Sequence, residues 1–186
     1  ESFSRGQLLL RTIFGVLYIY LPHLILLLFA GICSNILTMI SWWVILFSVK
    51  YPRGFYEFQL GLIRWSLRVI ARCWNLADGY PSFGIKGTDG HTELDAPYPE
   101  SLSRGHLLLK SFFGWLYCGL PHMFCLFFRL WWSTILIFLA WWIVLFAGRY
   151  PRSWHAFNVG TLRWLLMLQL YMGFMSDQYP RFSGKE

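Results

Sequence analysis

The residues best suited to chemistry in this 186-residue chain are two histidines, each preceded by proline, Pro22-His23 and Pro121-His122. Both pairs stand near the middle of an apolar run. A proline inside a helix removes a backbone donor and frees the carbonyl four residues back, here that of Tyr18 and that of Tyr117. The plain expectation is a kink, with each histidine bonded to a freed carbonyl or to a neighbouring helix. Two sharper readings stand beside it. His23 and His122 meeting across an internal two-fold axis could ligate haem or another metal. With Tyr18 and Tyr117 they could instead line a passage for a lipid or small molecule. Two histidines without further ligand spacing are a weak metal motif, so no cofactor is expected.

The other chemistry-bearing types are placed unhelpfully for catalysis. None of the nine acidic residues falls inside a long apolar run expected to cross a membrane, which removes the buried carboxylate that ion-coupled carriers use and the carboxylate pair that acid and base catalysis needs. No GxSxG, HExxH, GxGxxG or phosphate-loop spacing occurs, and the chain is not expected to be an enzyme. Cys33, Cys73, Cys118 and Cys125 lack CxxC spacing and read as small packing residues.

Basic and aromatic residues are more informative. Lys and Arg number 16 against 9 acids, a net charge of +7, and they stand at the edges of apolar runs rather than in a block. That placement suits lipid phosphates and argues against nucleic acid. Arg5, Arg53, Arg64, Arg68, Arg72, Arg104, Arg149, Arg152 and Arg163, with Trp65 and Trp164, are the candidates for binding anionic lipid or a partner subunit. Trp42-Trp43 and Trp141-Trp142 read as interfacial anchors.

The elements that must position these groups follow from composition and an internal repeat. Hydrophobic residues make up 56% of the chain and charged residues 13%, and a soluble fold would need a more charged surface. Shifting the sequence by 99 positions aligns residues 1–83 with 100–182 without a gap. Leu21-Pro22-His23 then meets Leu120-Pro121-His122, Tyr51-Pro52-Arg53 meets Tyr150-Pro151-Arg152, and Asp78-x-Tyr80-Pro81-x-Phe83 meets Asp177-x-Tyr179-Pro180-x-Phe182. Residues 84–99, rich in Gly, Pro and acids, form a polar linker between the copies, and 183–186 are a short tail.

Within each copy the apolar runs predict a helical hairpin. Thr12 to Ala30 and Ile36 to Val49 would be two spans joined by a turn at Gly31-Ile-Cys-Ser-Asn35, and Leu107 to Phe128 and Leu130 to Ala147 would be their counterparts around Arg129. A third stretch, Phe55 to Leu76, carries Arg64, Arg68 and Arg72 on one stripe beside an apolar stripe, as an interfacial helix does. Three arginines at mid-bilayer would cost about 8 to 10 kcal/mol together before snorkelling. Trp154 to Met175 is its twin. The expectation is an all-α integral membrane protein of two tandem hairpin repeats, four transmembrane helices in all, each repeat followed by an amphipathic helix. Every Lys and Arg except Arg129 would lie on one side, making that side and both termini cytoplasmic. No cleavable leader is recognisable before the first apolar run, and the absence of an initiator Met points to a few further residues ahead of Glu1.

Ser-Arg-Gly, Leu-Pro-His, Trp-Trp-x-x-Leu-Phe, Tyr-Pro-Arg, Arg-Trp and Asp-x-Tyr-Pro-x-Phe, in that order in both copies, resemble a bacterial membrane family, domain of unknown function 4389. The resemblance implies a multi-pass protein of the bacterial inner membrane and carries no activity with it. The leading functional expectation is an accessory or scaffold subunit of a larger membrane complex, binding anionic lipid at its basic rim. The conduit and the haem or metal subunit are the alternatives.

Overall fold

The structure, a computed structural model, describes residues 3–185. Four helices account for it: α1 Arg5–Ser48, α2 Arg53–Cys73, α3 Arg104–Ala147 and α4 Arg152–Met172. No strand is present among the described residues. Two of the helices, α1 and α3, are long and apolar enough to cross a membrane. At 44 residues each they run about 66 Å.

Local sequence explains where these helices begin, bend and end. Ser4 and Ser103 cap the long helices by accepting from the amides of Gln7 and His106. Pro22 and Pro121 are absorbed by one wide turn apiece, Val16–Tyr20 and Trp115–Gly119, which end with the Leu21 amide bonded to the Val16 carbonyl and the Leu120 amide to that of Trp115. The long helices stop in the left-handed conformation at Val49 (φ 57°) and Gly148 (φ 67°). Pro52 and Pro151 then start α2 and α4.

The hairpins expected from the sequence are absent, and with them the four separate spans. Gly31, Ser34 and Asn35 lie inside uninterrupted helix. Asn35 and Thr38 bond within the helix instead of turning it, donating to the Gly31 and Ser34 carbonyls at 3.0 and 2.9 Å, while the Ser34 hydroxyl donates to the side-chain oxygen of Gln59. The cluster that reads as a turn is a seat for α2, because Gln59 donates to the Ser34 carbonyl and the Thr38 hydroxyl at 2.8 and 2.7 Å. At the matching height of α3, Arg129 is not alone on a far membrane face. It donates to the Thr161 hydroxyl at 2.8 Å and lies over the Phe157 ring of α4.

The long helices run antiparallel and are stitched together at both ends. The Phe3 amide bonds the Gly148 carbonyl and the Leu102 amide bonds that of Val49, at 3.0 and 2.7 Å. Trp42 donates to Ser111 at 2.7 Å, and Trp141 to Thr12 at 2.9 Å. The shorter helices share one core on a single side of this pair. Tyr56, Leu60 and Ile63 of α2 pack with Leu166, Leu170 and Met175, and Leu67 packs with Val159 and Leu162. The polar linker and the C-terminal segment cover that side. Among the described residues none covers the opposite side of α1 and α3.

Candidate functional site

Two surfaces are built on this frame: an apolar face, and on the other side a set of clasps that tie down polar groups. The clasp is the Asp-x-Tyr-Pro-x-Phe segment. Asp78 accepts from the Ser4 amide at 2.7 Å and pairs with the buried Arg11 at 3.0 Å. Two residues on, the Tyr80 hydroxyl donates to the Tyr18 carbonyl at 2.9 Å, which is the carbonyl that Pro22 leaves without its amide. Phe83 then stacks on the His23 ring, with centroids 3.9 Å apart and planes 5° from parallel.

Equivalent contacts recur 99 residues on. Asp177 accepts from the Ser103 amide at 2.6 Å and pairs with Lys110 at 2.8 Å. Tyr179 donates to the Tyr117 carbonyl at 3.2 Å, and Phe182 stacks on His122 at 3.9 Å. In each copy this segment reaches far across the chain. Its partners lie about 70 residues away, and the repetition of Tyr beside Pro in both copies was the signal for them.

The histidines sit in separate clusters rather than meeting across an axis. His23 and His122 are fully buried, and each Nδ1 accepts the indole N–H of Trp65 or Trp164 at 2.8 Å. An indole can only donate, so Nδ1 is unprotonated and the proton is assigned to Nε2. Ligation of iron through Nε2 would need the other tautomer, whose Nδ1–H would point at the indole N–H. Trp65 and Trp164 are thus buried orienting partners of the histidines, not the outward lipid contacts expected of them.

The arginine candidates divide into two groups. Arg68 and Arg72, expected on an outward anionic-lipid stripe, are buried at 3% and 1% exposure and face the linker. Arg68 donates to the Ser82 and Gly84 carbonyls, and Arg72 pairs with Asp89 at 2.8 Å. Arg64 is exposed and donates to the Leu94 carbonyl, while Arg163 is half-buried and donates to that of Gly184. Loop carbonyls and, for Arg72, the Asp89 carboxylate occupy these guanidinium groups. Burial would raise the Asp89 carboxyl, but hydrogen bonds from Thr92 and the His91 and Thr92 amides, with Arg72 adjacent, hold it below its ordinary 3.8. Asp177 is likewise held low against burial by Lys110 and the Ser103 amide.

The second group marks the ends of the slab. Arg5 donates to the Phe146 carbonyl at 2.9 Å and Arg104 to that of Phe47 at 2.8 Å, so each covers a last-turn carbonyl of the other long helix. Both remain exposed, as do Arg53, Arg149 and Arg152. Arg53 pairs with Glu57 on the surface.

Between these ends the outer face is apolar except for exposed Asn35 and Thr134, whose side chains bond the Gly31 and Leu130 carbonyls of their own helices. Ile13, Leu17, Leu24, Leu28, Ile32, Met39, Trp43 and Phe47 recur every four or seven residues on α1, all more than half exposed. Phe112, Leu116, Phe127, Trp131, Phe138 and Phe146 continue it on α3. A groove of about 800 Å³ opens elsewhere, between the linker and the C-terminal segment, lined by Tyr56, Asp95, Tyr98, Arg163, Asp177 and Tyr179. His23, His122, Tyr18 and Tyr117 do not line it.

The fold and this face define an all-α protein with two long, membrane-competent helices. Residues 113–184, most of α3 and all of α4 with its clasp, match the family model described as Domain of unknown function (DUF4389). No curated protein and no solved structure matches the chain.

Proposed function

We propose that the chain is a non-enzymatic membrane component, an accessory or scaffold subunit that seats an apolar helical slab in a bacterial cytoplasmic membrane and presents a clasped polar face to a larger complex. The observation that carries this reading is the outer face of α1 and α3. Monomeric soluble proteins seldom expose a contiguous apolar patch above a few hundred Å², and this one extends along two 44-residue helices. The exposed arginines at its ends suit anionic headgroups. Asp78, Asp89 and Asp177 are each engaged in ion pairs that hold the fold, which supports a structural rather than a catalytic role. The family model matches one unit, residues 113–184, and the gapless alignment supports reading residues 1–83 as a related copy.

Neither alternative has a comparable observation behind it. A haem site would break the Trp–His bonds, and the fully buried histidines do not line the groove described above. Purification in mild detergent tests the scaffold reading. The expected result is a stable assembly with at least one further membrane polypeptide and retained anionic lipid. A chain that runs alone as a lipid-free monomer overturns it.

A further inference from the structure

We infer that α1 and α3 lie in the plane of the membrane, embedded in one leaflet through their shared outer face, rather than crossing it. This rests on the membrane reading above and adds how the protein sits. The first observation is length. From Leu9 to Phe47 the exposed apolar stripe covers 38 residue steps, roughly 57 Å, nearly twice the ~30 Å hydrocarbon core. A crossing helix would leave at least six exposed apolar side chains on each of α1 and α3 outside the core.

The second observation is what lies beside the midpoint of each long helix. Ile85, in the linker, packs in one cluster with Leu27 of α1, and Arg68 holds the neighbouring carbonyls of Ser82 and Gly84. Exposed Arg64 and Lys86 flank this segment. On α3 the matching level carries Arg129 and the Gly184 carbonyl that Arg163 bonds. With the helices along the bilayer normal, non-helical backbone and exposed cations would sit at mid-depth, where lipid offers no hydrogen bonds and each charge costs about 2.5 to 3.5 kcal/mol. With the helices in the plane, every one of these groups is on the aqueous side and every exposed apolar residue of the stripe is in lipid. Occupancy by one leaflet also suits the exposed arginines, since Arg5 and Arg152 at one end and Arg53 and Arg104 at the other reach headgroups at the same depth.

Two experiments on the full chain test it. Arg53→Cys, Lys86→Cys and Arg152→Cys, each with Cys33→Ser and Cys125→Ser to silence the exposed native thiols, are treated in sealed membranes with a membrane-impermeant maleimide. All three label from the same side under this geometry. Arg53→Cys and Arg152→Cys labelling from opposite sides, with Lys86→Cys inert, overturns it. Oriented circular dichroism of the unmodified protein in aligned bilayers needs no variant: the band polarised along the helix axis is retained for in-plane helices and lost for upright ones, and its loss overturns the inference. Release of the protein by alkaline carbonate would instead defeat the membrane reading beneath it.

Discussion

At the residue scale, the protein turns polar groups inward in matched sets of three. Each Asp-x-Tyr-Pro-x-Phe segment ties down a helix start, a proline-freed carbonyl and a histidine ring. Replacing Trp65 with Phe keeps the ring but strands the buried His23 Nδ1, which should cost about 1 to 3 kcal/mol. Trp164→Phe should cost a similar amount, and thermal melts in detergent measure both. Asp89→Asn leaves Arg72 buried without its counter-ion and should cost about 3 to 5 kcal/mol. The carboxyls of Asp89 and Asp177 are held below 3.8, so their stabilisation is complete above the ordinary carboxylate range and is lost as pH falls below it, through the folded values. Acid titration monitored by near-ultraviolet circular dichroism should show that loss below about pH 4, with a smaller acid-dependent loss in Asp89→Asn than in the unaltered chain.

At the scale of elements, α1 and α3 reveal what periodicity can and cannot say. Apolar length and the 99-residue offset made the helices and their recurrence legible, and the Arg64, Arg68 and Arg72 spacing set α2 apart from the two long apolar helices. The direction of that stripe was not legible, because a linker folded back over a helix looks the same in sequence as a linker in water. Gly31, Ser34 and Asn35 misled for a related reason: residues that favour turns also let a second helix approach closely, and only Gln59 across the interface distinguishes the two. Tyr80 and Tyr179 were missed because their partners are far apart in sequence. The two long helices end on different residues in the same left-handed conformation. Val49 holds φ 57° where Gly148 holds 67°, and a β-branched residue is strained there. Val49→Gly should raise stability by about 1 kcal/mol, the relief of strain outweighing glycine's entropy, as read by denaturant or thermal unfolding.

For the whole molecule, two antiparallel long helices, two shorter helices and a folded-back linker separate apolar from polar matter across one plane. That separation, more than any single residue, is what the proposed membrane role depends on. Leu28 and Phe127 occupy equivalent positions on the outer face, 62% and 56% exposed, so lysine at both should leave the packing intact. Thr88 and Gln178 are exposed on the other side and allow the same two charges to be added there. Flotation of both double variants with zwitterionic vesicles is the most direct measurement. Leu28→Lys with Phe127→Lys should lower partitioning by about tenfold or more, the cost of placing charge in hydrocarbon, while Thr88→Lys with Gln178→Lys leaves it unchanged. Equal partitioning of the two variants would contradict the account.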